Sequence, residues 1–442
     1  MTSAGNIIAP WPPWIYPLKT ISPCAGCKRL PVPRAAETMF DKSEIIVGLE
    51  IGTAKVCAVV GEADADGALE FLGVGTEPTR GAVRKGEIVN ADLAEEAIRA
   101  ALAAAEESAD VELRSVYLSA TGSHIEGNNY HGVHPIASVD RAIDEEDLKA
   151  VERKAHPKLT VGREVLDALR QGYRVDGQGG VENPLGRFAS RLEVDAHVVS
   201  GQITRLQNSV CAVKGLGLEV EALAFAGRAA ACAALSPEQC ELGALLIDLG
   251  AGTTDYVVYH NRSLRHSRVI AVGGEHVSND ISVGLKLSNA RAEKLKVDHG
   301  AALPDPTAHG RTVNLTSDVG LDNRTVSISH LHQVMNARLE ELLMLIRDDL
   351  ARAGLLAHLR AGVVLTGGGA RVPELERLAT QVFQMSVQTA RAKAGSGPSS
   401  ILDEPECSTA LGLVKLGVQQ RAAQRQSRTG VFDWLAGKLV GA

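Results

Sequence analysis

Leu245-Leu-Ile-Asp248-Leu-Gly-Ala-Gly-Thr-Thr-Asp255-Tyr-Val-Val-Tyr259 reads as two apolar β-strands joined by a tight glycine turn with an aspartate on either side. Glycines in such a turn let backbone N–H groups approach phosphate oxygens with no Cβ in the way, and Thr253 and Thr254 add hydroxyl donors. Asp248, ending a buried strand, suits a hydrated Mg2+, which takes one or two carboxylates with water and phosphate rather than a full protein cage. Asp255 is a second metal candidate. An ordinary hairpin uses the same glycines, so the phosphate reading depends on its company.

Two further turns supply it. Glu44-Ile-Ile-Val-Gly-Leu-Glu50-Ile-Gly-Thr-Ala-Lys55-Val-Cys-Ala-Val-Val60 repeats the pattern of apolar strand, acidic residue, Gly-Thr turn and second apolar strand, so the pair of hairpins implies an internal duplication. Val363-Val-Leu-Thr366-Gly-Gly-Gly369-Ala370 is a strand running into a triple-glycine turn and a helix from Pro373 to Phe383, an arrangement suited to a nucleotide's sugar or phosphate. Hairpins alternating with amphipathic helices point to the α/β class. One such helix, capped by Asp92, carries Leu93, Ala97, Ile98, Ala101, Leu102 and Ala105 on one face, and a strand follows over Val111 to Ser119.

The chain of 442 residues is long enough for two to four domains, and 45% hydrophobic with 22% charged residues is an ordinary globular balance. A formal net charge of −7 argues against a general nucleic-acid binder. Seven scattered cysteines read as reduced thiols, and Cys24-x-x-Cys27 lacks the second pair or histidine that a zinc site needs. Residues 1–43 are expected to be a disordered extension: the first 40 hold seven of the 17 prolines and two of the three tryptophans, and Met39 is a candidate start. No run of 18 apolar residues, the length a bilayer-spanning helix needs, appears in the sequence, so no span is expected.

Strands at Ser115–Ser119, Gly132–Ser138 and Leu192–Val199, a helix capped by Asp144 and a turn at Asn183-Pro-Leu-Gly186 predict a small α+β insert. His197, alternating within its strand, reads as a structural residue rather than a ligand. The helix Gln202–Lys214 and strand Leu218–Phe225 return to the parent domain. A second insert carries a helix from Asn289 to Gly300 in which Glu293 and Lys296 stand one turn apart, and a long helix starts near Ser329.

The three turns resemble the phosphate 1, phosphate 2 and adenosine motifs of the actin, Hsp70 and sugar kinase superfamily. Within it, Gly48 to Val56, Asn183 to Gly186, Asp248 to Asp255 and Leu365 to Ala370 resemble the FtsA family of bacterial cell-division proteins, with only the first 40 or so residues outside the match. The resemblance implies actin-like, duplicated ribonuclease H-type domains around an ATP cleft, with an FtsA-type α+β insert (1C) in place of actin subdomain 1B. It divides the chain into 1A (44–114), 1C (115–199), 1A again (200–242), 2A (243–274), 2B (275–327), 2A again (328–404), a C-terminal 1A helix (405–420), a linker (421–429) and a terminal helix (430–442).

The resemblance also implies ATP contacts at Gly52, Thr53, Ala54, Lys55, Gly250, Ala251, Gly252, Thr253, Thr254, Glu293, Lys296, Gly367, Gly368, Gly369 and Ala370, with Mg2+ on Asp248. No catalytic residue is assigned; Glu50 is the candidate, standing where actin has an aspartate. Its longer side chain predicts tight ATP·Mg2+ binding with weak or absent hydrolysis. Arg338 and Glu341 match the family's contact for the C-terminal tail of FtsZ, or else form a solvated helix face.

Val431, Phe432, Trp434, Leu435 and Leu439 share one arc of the terminal helix, with Arg421, Arg425 and Arg428 nearby to meet anionic lipid. The expected function is an actin-like adaptor that anchors FtsZ filaments to the inner face of the cytoplasmic membrane at the division site, self-associates into filaments and recruits later division proteins. Alternatives are a pilus-assembly-type actin-like protein, a small-molecule kinase of the superfamily and a chaperone ATPase. The last is disfavoured because no β-rich peptide-binding domain follows.

Overall fold

The computed structural model describes residues 44–64, 68–137, 140–158, 160–304, 310–315, 324–390 and 404–440, of which 425–440 by backbone alone. The extension expected over 1–43, with Cys24 and Cys27, lies outside the described residues, as do the side chains expected to face lipid.

The hairpin at Glu50 forms. β1 (Glu44–Ile51) and β2 (Lys55–Ala63) pair antiparallel with Glu50 opposite Cys57, and β3 (Leu69–Pro78) continues the meander. A ribbon of β4 (Val83–Arg84) and β5 (Glu87–Ile88) leads to α1 (Ala91–Ala109), whose Ala97, Ile98, Ala101, Leu102 and Ala105 are buried. Its cap is Asn90 rather than Asp92. The Asn90 backbone is extended and its side chain accepts from the Leu93 N–H at 3.1 Å, which leaves Asp92 in the first turn, where a carboxylate suits the helix dipole.

β6 (Ser115–Ala120) then runs parallel to β1. This corrects two expectations: the strand starts at Ser115, not Val111, and it belongs to the first lobe's sheet rather than to the insert. An apolar strand reveals its pleat in sequence but not which sheet it joins. The insert proper is β7 (Glu126–Pro135), α2 (Glu145–Ala155), β8 (Arg163–Val175), β9 (Gln178–Val181) and β10 (Arg191–Gln202), an antiparallel sheet of order β7-β10-β8-β9. Asp144 and Asp147 form the capping box of α2. α3 (Ile203–Gly215), β11 (Glu219–Phe225), α4 (Ala226–Ala234) and α5 (Pro237–Leu242) complete the lobe.

The second lobe repeats the first. β12 (Ala244–Leu249), β13 (Thr254–His260) and β14 (Ser263–Ile270) form the meander; α6 (Gly274–Leu285) and α7 (Asn289–His299) follow, then the ribbon β15 (Thr312–Leu315) and β16 (Arg324–Ser327). α8 (Ile328–Arg352), β17 (Gly362–Thr366), α9 (Leu375–Phe383) and β18 (Val387–Thr389) close it. The orders β3-β2-β1-β6-β11 and β14-β13-β12-β17-β18 are the same, antiparallel through the meander and parallel beyond it. The duplication expected from two hairpins is thus carried by ten strands. α6 was not anticipated: its Gly274 start and polar Ser-Asn-Asp interior hide the buried Val277 and Ile281.

α10 (Ser408–Val440) packs back on β1, β2 and α4 of the first lobe and does not end at Gln420 as expected. The backbone stays helical through the segment expected to be a linker, 421–429, because that stretch is rich in Arg, Gln and Ala, has no proline, and meets glycine only at Gly430.

The insert touches both lobes. On the first, Asp167 of β8 pairs with Arg228 of α4, both fully buried, and accepts from the Phe225 N–H at 3.1 Å. On the second, Gln171 donates to the Leu264 carbonyl at 2.7 Å and Asn129 to that of Arg265 at 3.1 Å. His197 is buried in this seam, with ring nitrogens 2.7 Å from both Asn129 Oδ1 and Ser267 Oγ, which agrees with a structural role. Burial, with His266 nearby, pushes its pKa from 6.5 down to about 3. The unfolded chain therefore takes up a proton that the folded chain refuses, so this stability is full above pH 6.5 and is lost as pH falls below it. Between pH 7 and 5 the loss is about 2 kcal/mol. Hydrogen exchange of the β10 amides between pH 7 and 5, corrected for intrinsic rates, should show a smaller loss of protection in His197→Asn, whose side chain has no proton to take up; an unchanged pH slope would contradict the assignment.

Candidate functional site

The lobes face each other across a cleft of about 620 Å3. Each wall is built by a strand-to-strand turn. In the first, the Gly52 N–H donates to the Lys55 carbonyl at 3.0 Å, leaving Thr53 and Ala54 at the tip. In the second, the Gly250 N–H donates to the Thr253 carbonyl at 3.0 Å, and the Gly274 and Glu275 N–H groups at the start of α6 donate back to the carbonyls of Gly250 and Ala251. The turns touch: a Cβ on Gly252 would stand 2.4 Å from Thr53 Oγ1 and 2.8 Å from the Lys85 nitrogen, so only glycine lets the lobes meet there. The third turn rests on Gly367, whose φ is +79° and where any Cβ would fall 2.3 Å from Asp248 Oδ1. Thr366 fixes the turn by donating to the Pro405 carbonyl at 2.9 Å.

Three carboxyls converge on the floor. Asp248 and Asp255 are register partners, and Thr366 lies beside Asp248 on the parallel strand. Thr409, from the start of α10, donates to Asp248 at 3.0 Å, and Thr121, from the end of β6, donates to both oxygens of Asp255 at 2.7 and 2.9 Å. Burial raises Asp248 to about 6, an effect its Thr409 bond opposes. Burial and then the Asp248 charge raise both Asp255 and Glu50 to about 8. Glu50 Oε2 is buried and has no hydrogen-bond partner. A buried polar atom costs about 1–3 kcal/mol when unpaired, and this one faces the cleft. The floor therefore suits a positively charged or hydrogen-bonding group. Among the described residues no cluster of three or more His, Cys, Asp or Glu could ligate a metal directly.

Most predicted contacts line the cleft: Glu50, Gly52, Thr53, Ala54, Lys55, Asp248, Gly250, Ala251, Thr253, Asp255, Glu293, Lys296 and Gly367 to Gly369. Gly252, Thr254 and Ala370 stand behind it. Thr254 donates to the Val272 carbonyl at 2.8 Å, and Ala370 packs in the second lobe's core. Lys296 is held by Glu293 at 2.7 Å, Ser278 at 2.9 Å and the Gly274 carbonyl at 3.1 Å, so the lysine is anchored while the Glu293 side chain stays half exposed. Arg338 also lines the cleft while bonding Asp280 at 2.6 Å and pairing with Glu341; Glu341 itself points outward. Sequence reasoning missed Thr121, Thr409 and the Gly273-Gly274 pair. The glycine pair before a helix was legible, whereas nothing local marks either threonine.

Comparison with known proteins agrees with this architecture. The family model of cell division protein FtsA matches residues 245–412, and that of the SHS2 domain inserted in FtsA matches 122–200, which agrees with an insert beginning after β6. The chain is 35% identical over 380 residues to the cell division protein FtsA of Pseudomonas aeruginosa, covering 86% of this chain and 90% of that protein. It is 35% identical over 405 residues to that of Escherichia coli (strain K12), covering 89% and 96%. A solved structure of the PilM-PilN type IV pilus biogenesis complex shares the fold at a TM-score of 0.59 and 18% identity, over 84% of this chain and 98% of that one. The duplicated lobes and the insert are thus an actin-like α/β fold, and on its identity across nearly the full length of these relatives the chain belongs to the FtsA family of cell division proteins.

Proposed function

We propose that the chain binds ATP with Mg2+ in the cleft and uses the bound state to set the angle between its lobes, as an adaptor that anchors FtsZ filaments to the cytoplasmic face of the inner membrane. In this role it self-associates and receives later division proteins. The observation that carries the reading is the convergence of all three glycine turns on one cleft whose floor holds Asp248, Asp255 and the unpartnered Glu50 oxygen. Asp248 would hold the cation through water, with Asp255 behind it, and the N–H groups of the two hairpin turns would face phosphate. The cation supplies positive charge that offsets the triphosphate and the carboxylates. Lys296 and Glu293 would meet the ribose, beside the apolar wall of Val277, Val297 and Met335. Glu50, with a side chain one methylene longer than the aspartate expected at that turn, sets its carboxyl off the position that would orient a water, which favours slow turnover or none.

Calorimetric titration with Mg·ATP tests the cleft. The wild type should bind, and Asp248→Ala should lower the Mg2+-dependent affinity by roughly 10–100-fold. Unchanged binding by the variant would refute the assignment. The partner is tested separately with an FtsZ C-terminal tail peptide in the presence of Mg·ATP. Binding that weakens in Glu341→Lys supports the adaptor, and absence of tail binding by the wild type argues against it.

A further inference from the structure

Beneath the cleft, two cysteines 350 positions apart in sequence meet: Cys57 Sγ lies 3.9 Å from Cys407 Sγ, and both residues are buried. Cys57 sits on β2 opposite Glu50, and Cys407 immediately precedes α10. The residues before Cys407, Pro405 and Glu406, line the cleft, and Glu406 pairs with Lys55 at 3.5 Å across its edge. We propose that Cys57 and Cys407 form an oxidisable dithiol, closed to a disulfide by hydrogen peroxide.

The two sulfurs have different roles. The hydrogen bond from Cys57 holds the Cys407 thiol below the usual cysteine range, and the Lys55 ammonium acts in the same direction. The same hydrogen bond, with burial, pushes the Cys57 thiol well up. Cys407 is therefore the attacking sulfur and Cys57 the resolving one. Cys232 and Cys240 have thiols raised by burial, Cys240 to about 12, and are inert by comparison. The Cys407 thiolate attacks one peroxide oxygen, the O–O bond breaks, and hydroxide leaves as water after taking a proton, giving Cys407 sulfenic acid. The Cys57 sulfur then attacks Cys407 Sγ, the S–O bond breaks, and the hydroxyl departs as a second water with the Cys57 proton. Two thiols lose two electrons and one hydrogen peroxide becomes two waters. Closure brings the sulfurs from 3.9 Å to about 2 Å. It draws together the hairpin that carries Glu50 and the helix start that places Thr409 on Asp248, so oxidation acts on the cleft floor.

The test uses the full reduced chain, treated with hydrogen peroxide, blocked with an alkylating reagent and digested without reductant for mass spectrometry. The expected product is a peptide pair joining Cys57 to Cys407, distinct from any peptide holding Cys24 and Cys27 and released by dithiothreitol. Cys57→Ser should leave Cys407 as a sulfenic acid captured by dimedone, whereas Cys407→Ser should leave Cys57 unlabelled. A wild type whose Cys407 stays free to alkylate after peroxide treatment, or dimedone on Cys57 in Cys407→Ser, would overturn the proposal. The wild-type crosslink decides the matter even where a serine variant fails to fold.

Discussion

Replacing Arg228 with leucine is expected to destabilise the junction between the insert and the first lobe by about 3–5 kcal/mol. Arg228 is 2% exposed and Asp167 is fully buried, and the two form an ion pair between α4 and β8. Leucine fills most of the arginine's volume, so packing changes little. The carboxylate left behind keeps the Phe225 N–H at 3.1 Å but loses its counter-charge in a fully buried site. The converse follows from the same physics: the double variant Arg228→Leu, Asp167→Leu removes both charges and should recover part of the loss, because a buried pair is often no better than well-packed apolar groups, while the Phe225 N–H left without its acceptor keeps about 1–3 kcal/mol of it. Whole-chain unfolding of so large a protein is not two-state, so the readout is hydrogen exchange of the β8 amides, which reports local opening of this junction. A loss below about 1 kcal/mol in the single variant, or no recovery in the double, would contradict the account.

The pair also explains why some of this molecule was legible in its sequence and some was not. The three turns that build the cleft are local devices. Gly367 needs its left-handed φ and Gly252 its missing Cβ, and such demands leave a mark on a few consecutive residues. The contacts that knit these turns together are not local. Thr121 reaches Asp255 across 134 positions and Thr409 reaches Asp248 across 161, and neither threonine looks different from a surface threonine in the one-dimensional string. β8 has no counterpart among the expected strands, for another reason. Val165, Leu166, Leu169 and Tyr173 fall close to helical spacing, and only pairing with β10 along the length of β8 makes the segment a strand. The end of α10 failed through composition: a polar Arg- and Gln-rich stretch reads as a linker, yet those residues favour helix and nothing before Gly430 interrupts it.

That continuous helix bears on the largest functional effect expected. The double substitution Trp434→Glu, Leu435→Glu should release the protein from anionic vesicles. At about 100° per residue, Trp434, Val431, Leu435, Leu439 and Phe432 fall on one arc of α10 about 160° wide, with Lys438 inside it and Asp433 outside. At about 1.5 Å per residue the 33-residue helix is about 50 Å long, and its first part is fixed to the lobe through the buried Leu411, Leu413, Val414 and Leu416. No described helix is long and apolar enough to cross a membrane. Burying five such side chains in a lipid surface would contribute on the order of 10 kcal/mol gross, reduced by the cost of immobilising the protein. Removing two of the larger ones and adding two negative charges beside anionic lipid costs on the order of 5 kcal/mol, more than a thousandfold in partitioning. Co-sedimentation with vesicles containing phosphatidylglycerol measures it: the wild type should pellet and the variant should stay in the supernatant. A variant that still pellets fully would show that the arc is not the anchor. The cleft and the anchor are separable in this scheme, since Trp434 and Leu435 lie some 25 positions beyond Thr409, so the released variant should retain Mg·ATP binding at wild-type affinity. If nucleotide binding fell together with membrane binding, the two ends of α10 would be coupled, and the helix would transmit the state of the cleft to the membrane instead of serving as a passive tether.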